Sequence, residues 1–111
     1  MICISIFLYL VLLYIETPMD NIKEIAGLLA ETNQKKLIQE FLESILTPAE
    51  LEAISSRWEI VKRLDKGISQ RKIAKELHLS LCKITRGSKE LKKANSPMKK
   101  MISKIEIDKT K

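Results

Sequence analysis

Apolar residues recur every three or four positions along most of the chain from residue 20 onward, which is the spacing of helices that bury one face. In residues 20–31 these positions are Ile22, Ile25, Leu28 and Leu29, and in residues 34–46 they are Leu37, Ile38, Phe41, Leu42 and Ile45. No sustained alternation of apolar and polar residues indicates a strand. The pattern therefore predicts an all-α protein of six-helix-type bundle, in which the first two helices carry a core or dimer face.

The sequence at Thr47 and Pro48 strongly predicts the beginning of a helix. Thr47 can cap the free N–H groups, Pro48 suits the first helical turn, and Glu50 completes a capping box three residues after Thr47. Gly67 is expected to end this helix. Its inward-facing residues are predicted to be Leu51, Ile54, Trp58, Val61 and Leu64.

Two short helices follow, with the pattern of a helix-turn-helix motif. Ser69 is expected to cap the first and Ser80 the second, while His78 lies in the turn, where this motif commonly has a glycine with positive φ. The inward-facing residues are predicted to be Ile73, Ala74 and Leu77 in the first helix and Leu81, Ile84 and Leu91 in the second. Because the second helix of such a motif lies in the DNA major groove, residues 69–93 form a candidate DNA-binding head, called the head below.

Charge is distributed unevenly between the two halves of the chain. Residues 16–56 carry a formal charge of −5 and residues 57–104 carry +11, for a net charge of +6. A basic half is typical of polyanion binders, with nucleic acid the first candidate, an anionic membrane the second, and a solvated lysine-rich surface the interpretation without function. The exposed positions of the head hold the residues suited to phosphates, namely Arg71, Lys72, Lys75, Lys83, Lys89, Lys92 and Lys93.

Base recognition requires side chains near the start of the second helix of the head. Leu81 and Cys82 can contact a thymine methyl group and Lys83 can donate to guanine, while Arg71 offers a bidentate guanine contact. Burial in the core is an equally good interpretation of Leu81 and Cys82. The full set of candidate DNA contacts is Gln70, Arg71, Ala74, Lys75, Leu81, Cys82, Lys83, Thr85 and Ser88.

The sequence offers little chemistry for catalysis or metal binding. Cys3 and Cys82 make no disulfide framework, and the single His78 has no second ligand at metal-site spacing. No nucleophile with an adjacent base and no phosphate loop is apparent. We therefore expect a cytoplasmic protein that is not an enzyme and has no metal cofactor.

The first residues fit neither a membrane span nor a secretory signal. Residues 2–15 are uncharged and mostly apolar, but a bilayer-spanning helix needs about 20 such residues, and no basic residue precedes them. Two interpretations stay open: translation begins at Met19, or the segment is a weak membrane anchor. The predicted organisation is an apolar extension over 1–18, dimerisation helices over 19–46, a core helix and the head over 47–94, and a C-terminal helix opened by Pro97 with a tail over 95–111.

Residues 45–93 resemble the tryptophan repressor family of bacterial transcription regulators. The resemblance lies in "ILTPAELEAISSRWEIVKRLDKG", "SQRKIAKEL" and "ITRGSKELK", which occur in the family's order and at nearly its distances. It implies an intertwined all-α homodimer, in which each head binds one half of a palindromic operator in double-stranded DNA. It also implies L-tryptophan as a corepressor.

The resemblance further implies which residues hold that ligand. Arg57 and Arg86 would sandwich the indole, one of them pairing with the ligand carboxylate, and Gly87 would leave room for the ligand against the backbone. The ammonium group would be held by backbone carbonyls of the partner chain, at Ser44, Leu46 and Thr47.

Three departures from the family pattern stand out. Glu90 replaces a small hydroxyl residue near the ligand, so it would either pair with the ammonium group or repel the carboxylate. Ala74 replaces a lysine that commonly contacts DNA, and the segment before Thr47 is shorter than usual. The alternatives are a ligand-independent DNA-binding regulator and the DNA-binding fragment of a transposase.

Overall fold

The computed structural model describes residues 18–109, with side chains described to residue 105. This part of the chain forms six helices and no strand: α1 Pro18–Glu31, α2 Lys35–Ile45, α3 Pro48–Asp65, α4 Gln70–Leu77, α5 Leu81–Lys92 and α6 Pro97–Lys109. The predicted all-α fold class is confirmed. The apolar stretch 2–15 lies outside the described residues, and both interpretations of it stay predictions.

The chain divides after Ile45 into two compact units, and α1 and α2 belong to the first. The apolar face predicted for these helices is only partly covered: Ile25, Leu29, Ile38 and Phe41 are half-buried. The more exposed members are between 39 and 58% exposed, namely Ile22, Leu28, Leu37, Leu42 and Ile45. A single chain therefore leaves much of this apolar surface in contact with water.

The second unit is built around a core to which three helices contribute one isoleucine each. Ile60 of α3, Ile73 of α4 and Ile84 of α5 are buried together, and Val61 and Ile102 are buried as well. Around this cluster lie the half-buried side chains of Leu64, Ile68, Ala74, Leu77 and Leu79. The core thus fixes both helices of the head against α3.

The prediction of an inward-facing side chain is wrong for two residues, because Leu81 is 46% exposed and Ile54 is 48% exposed. Side chains in a helix lean toward its N-terminus, so that of Leu81, the first residue of α5, points past the end of the helix. Ile54 lies in the first half of α3, whereas both buried residues of that helix lie in its second half. The periodicity of apolar residues predicted which face of each helix is apolar. It did not predict how much of that face the neighbouring helices cover.

The turn of the helix-turn-helix motif has the predicted left-handed residue. His78 ends α4 with φ 56° and ψ 41°, and its backbone N–H donates to the carbonyl of Ala74. Gly67 adopts φ 84° just after α3, where the N–H of Ile68 donates to the carbonyl of Arg63 at 3.2 Å. Both positive-φ residues let the chain reverse within a few residues, which brings α3, α4 and α5 into contact.

The predicted capping box at the start of α3 is confirmed. Thr47 Oγ1 accepts from the Glu50 N–H at 3.2 Å, and Glu50 Oε1 accepts from the Thr47 N–H at 2.9 Å. The backbone hydrogen bond, followed by the side-chain one, holds the pKa of the Glu50 carboxyl below its ordinary value. Ser69 caps α4 as expected, whereas Ser80 occupies the N-cap position of α5 without a side-chain hydrogen bond, so its predicted capping was wrong.

This difference in capping predicts that two similar substitutions lower the free energy of unfolding by unequal amounts. Thr47→Ala is expected to lower the free energy of unfolding by about 1 kcal/mol, because the N-cap hydrogen bond is lost. Ser80→Ala, the matched control, should change it by less than about 0.5 kcal/mol. Urea denaturation of the three proteins measures both values, and equal losses would contradict the observed difference in capping.

Candidate functional site

A hydrogen bond across the head joins the beginnings of its two helices. The hydroxyl of Thr85 lies 3.0 Å from Gln70 Oε1 and 3.0 Å from the carbonyl of Leu81, and it can donate to either acceptor. Gln70 is the first residue of α4, and Thr85 lies one turn into α5. The bond therefore helps to fix α4 and α5 at one angle, together with the buried pair Ile73 and Ile84.

The predicted DNA contacts fall into three groups by exposure. Five are exposed, namely Arg71, Lys75, Leu81, Cys82 and Lys83, while Gln70, Ala74 and Thr85 are half-buried. The core interpretation of Leu81 and Cys82 is therefore wrong, and their exposure leaves them accessible to a base edge. Their contact with DNA stays a prediction.

Two members of the predicted set face inward. Ser88 is only 7% exposed, because it lies one helical turn after Ile84 on the buried face of α5. Ala74 packs against the isoleucine cluster. The position of Ser88 gives no support to its predicted DNA contact, and Ala74 offers at most a small surface.

A groove of about 670 Å³ runs between α3 and α5, with Met98 of α6 at its edge. The lining residues are Ala49, Glu52, Ala53, Ser56, Arg57, Ile60 and Val61 from α3, Leu79 from the turn, Lys83, Arg86, Gly87 and Glu90 from α5, and Met98. Its surface thus combines apolar side chains with five charged ones. The two arginines predicted to hold a ligand, Arg57 and Arg86, lie on its two walls.

Two charged residues of the groove were not predicted to line it from the sequence. Lys83, predicted only as a DNA contact, also lines the groove, and Glu52 was not singled out. The spacing of Lys83, Arg86 and Glu90 places them on one face of α5, which is a signal for Lys83. Glu52 carried no comparable signal, because only the packing of α5 against α3 brings it to the groove.

Glu90, the main departure from the family pattern, lines the groove and is paired. Its Oε1 atom lies 2.8 Å from Lys93 Nζ, three residues later on the same surface. Both side chains are more than a third exposed, so the pair is weak and screened by salt. The lysine nevertheless reduces the negative potential that Glu90 alone would place beside a ligand carboxylate.

The three residues predicted to offer backbone carbonyls stay predictions, since the resemblance assigns that role to a second copy of the chain. The Thr47 carbonyl accepts the first hydrogen bond of α3, from the N–H of Leu51 at 2.9 Å. Ser44 donates its hydroxyl to the carbonyl of Glu40 at 2.8 Å. Leu46 is half-buried at the start of the second unit.

Gly87 has a packing reason that was not apparent in the sequence. A Cβ atom at this position would lie 3.1 Å from Ile60 Cγ2 and 3.4 Å from Leu64 Cδ1. The glycine therefore lets α5 approach α3 closely, besides lining the groove. Gly27 of α1 differs, since a Cβ there would meet no atom within 4 Å.

We expect the two glycines to respond oppositely to a larger side chain. Gly87→Val should lower the free energy of unfolding by about 1–3 kcal/mol through overpacking against Ile60. Gly27→Ala should raise it by about 0.5–1 kcal/mol through helix propensity. Thermal denaturation compares them, and an unchanged stability of Gly87→Val would show that α3 and α5 can separate at no cost.

The described residues contain neither a metal-binding cluster nor a membrane-spanning helix. Between residues 18 and 105, no three or more His, Cys, Asp or Glu side chains come together in a way that could hold a metal ion. None of the six helices is both long and apolar enough to cross a bilayer.

The two-helix head with exposed basic residues, set beside a charged groove, defines a helix-turn-helix DNA-binding regulator. Comparison with known proteins gives the family: the sequence model described as Trp repressor protein matches residues 20–106. The chain belongs to the Trp repressor family, whose members are transcriptional regulators rather than enzymes. No solved structure matches the chain significantly.

Three curated relatives, each named Trp operon repressor homolog, illustrate the similarity. That of Actinobacillus succinogenes is 40% identical over 81 residues, covering 72% of this chain and 80% of the relative. That of Vibrio vulnificus is 41% identical over 71 residues, covering 63% and 70%. That of Chlamydia trachomatis is 31% identical over 78 residues, covering 69% and 83%.

Proposed function

We propose that this protein is a ligand-gated repressor that binds a palindromic operator as a homodimer when L-tryptophan occupies the groove. The observation that carries the proposal is the position of Arg57 and Arg86 on opposite walls of one groove, directly beside the head. The names of the relatives support a role at a trp operon. A cytoplasmic location is part of the proposal.

The chemistry of the groove suits an aromatic amino acid. Its volume lies within the usual range for small-molecule sites, about 300–1,000 Å³. Ile60, Val61 and Leu79 supply apolar contact, and each arginine can stack on an indole for roughly 0.5–2 kcal/mol. A guanidinium group paired with the ligand carboxylate adds a charge-assisted hydrogen bond.

Helix α5 provides the route from ligand to DNA. It forms one wall of the groove through Arg86 and carries the exposed candidate contacts Leu81, Cys82 and Lys83 at its beginning. A ligand that touches both α3 and α5 binds better to some head positions than to others. Such differential affinity is what allows it to shift the head population toward the DNA-binding arrangement.

The homodimer accounts for the uncovered apolar faces of α1 and α2. Six large apolar residues of these helices, including Met19, are at least 39% exposed in the single chain. Burying them against a second copy contributes roughly 25 cal/mol per Å² of apolar surface. A two-fold dimer with two heads also requires an operator with two matching half-sites.

The test begins with selection of DNA duplexes from a random-sequence pool by the full-length protein in L-tryptophan. Fluorescence anisotropy then gives the affinity for the selected duplex with L-tryptophan, with L-alanine and with neither. We expect L-tryptophan to tighten binding by about 5- to 150-fold, the usual range of such coupling, and L-alanine to have no effect. Equal affinity in all three conditions refutes gating, and failure to enrich any sequence refutes specific DNA binding.

A ligand-independent DNA-binding regulator is the second candidate, favoured by the acidic residues of the groove. Glu52 lines it without an ion-pair partner among the described residues, and Glu90 is only weakly paired. Both would repel a misplaced ligand carboxylate. Isothermal titration calorimetry with L-tryptophan distinguishes the two candidates. A ligand-independent regulator selects a DNA duplex but gives no heat of L-tryptophan binding.

A further inference from the structure

A network of charged side chains connects α3 to the first helix of the head on residues that do not line the groove. Its members, in spatial order, are Lys62, Glu59, Arg63, Glu76 and Lys72. Lys62, Glu59 and Arg63 belong to α3, whereas Lys72 and Glu76 belong to α4. These five residues are called the ionic network below.

Arg63 occupies the centre of the ionic network and contacts a carboxylate on each helix. Its Nε atom donates to Glu59 Oε1 at 3.0 Å, and its Nη1 atom donates to Glu76 Oε2. Two different nitrogens of one planar guanidinium group thus bind two acids, a geometry that lysine cannot reproduce. Arg63 is 27% exposed, so its contacts are less screened than those of a fully solvated pair.

Each of the two acids also lies near a lysine of its own helix. Lys62 Nζ lies 2.7 Å from Glu59 Oε2, and Lys72 Nζ lies 3.9 Å from Glu76 Oε1. The hydrogen bonds from Lys62 and then Arg63 keep the pKa of the Glu59 carboxyl below its ordinary value. The acid that orients Arg63 is therefore ionised at neutral pH.

The contact between Arg63 and Glu76 links α3 directly to α4. Among residues 18–105, the pair of Arg63 and Glu76 is the only polar side-chain link between α3 and α4. Helix α4 is also held by the packing of Ile73, Ala74 and Leu77 in the core and by the Gln70–Thr85 hydrogen bond, which leads to α5. Apolar contacts hold the helices together, and a directional ion pair adds geometric specificity to that packing.

We propose that Arg63 is a positioning residue, which sets the angle of the head relative to α3 through its ion pair with Glu76 and thereby keeps the head in its DNA-binding arrangement. This inference rests on the proposed function for its DNA consequence. Its structural consequence, the anchoring of α4, does not.

Native-state hydrogen exchange tests the structural consequence without DNA or ligand. Arg63→Met should accelerate exchange of the α4 amides by roughly two- to tenfold, as expected for a partly exposed pair, and leave those of α6 unchanged. Lys62→Met is the matched control, since Lys62 pairs with Glu59 of its own helix and Glu59 can keep its separate hydrogen bond to Arg63 without it, so α4 exchange should be unchanged. Unchanged α4 exchange in Arg63→Met, or equal acceleration in both helices, overturns the proposal.

A double-mutant cycle assigns the effect to the pair. Glu76→Gln should accelerate α4 exchange by an amount close to that of Arg63→Met, and the double variant should be no faster than either single one. Additive accelerations would mean that the two residues act through separate contacts, which also overturns the proposal.

DNA affinity tests the functional consequence, with a duplex selected by the wild-type protein as the probe. Arg63→Met should bind it roughly two- to tenfold more weakly, while the slope of log affinity against log salt concentration stays unchanged. If the magnitude of this salt slope falls by about 0.9, Arg63 contacts a phosphate group, and the positioning role is overturned. If the wild-type protein selects no duplex, the proposed function fails, and hydrogen exchange still decides whether Arg63 anchors α4.

Discussion

Arg86→Ala is expected to weaken L-tryptophan binding by about 2–4 kcal/mol, roughly 30- to 1,000-fold, and to remove the effect of L-tryptophan on DNA affinity. The substitution removes a wall of the groove, a stacking partner and a candidate carboxylate ligand at once. Isothermal titration calorimetry measures the first effect, and fluorescence anisotropy with the selected duplex measures the second.

Lys89→Ala is the matched control for this loss. Lys89 is an exposed basic residue of the same helix, three residues after Arg86, and does not line the groove. The Lys89→Ala variant should bind L-tryptophan with nearly wild-type affinity. Tryptophan binding by Arg86→Ala at the wild-type level would place the ligand elsewhere and contradict the proposed groove.

Arg71→Ala is expected to weaken operator binding by about 1–3 kcal/mol, roughly 5- to 150-fold, without changing the affinity for L-tryptophan. Arg71 lies exposed in the first turn of α4 and outside the groove, so its loss affects the DNA contact alone. Repeating the selection with the variant should yield sequences with relaxed preference at one position of each half-site.

Lys66→Ala separates this effect from a general loss of positive charge. Lys66 is exposed at the C-cap of α3, outside the head, and the variant has the same net charge as Arg71→Ala. We expect it to retain most of the wild-type operator affinity. An equal loss in both variants would indicate that binding depends on overall charge and not on the head.

The features that could be predicted from the sequence are those encoded by neighbouring residues. The capping box depends on Thr47 and Glu50, three residues apart, and the left-handed turn depends on the conformational tolerance of His78. The family resemblance assigned Arg57 and Arg86 to one site, and both line the groove although they are 29 positions apart. Local patterns alone contained no such information.

The features that were missed depend on contacts between helices. Arg63 and Glu76 are 13 residues apart on different helices, and nothing in their local surroundings marks them as a pair. Gly87 resembled a space for a ligand, but its missing side chain also accommodates Ile60 of α3. Ser80 had the right residue type for a cap, yet its side chain forms no such bond.

The groove has one wall that also serves the DNA-binding head and one that does not. Lys83 and Arg86 belong to the helix proposed to enter the major groove, whereas Ala53, Ser56 and Arg57 belong to α3. A substitution on α5 therefore risks altering operator recognition together with effector preference. Under the proposed function, redesign of the groove for another small molecule is best confined to the α3 wall, where we expect ligand choice to change independently of the target gene.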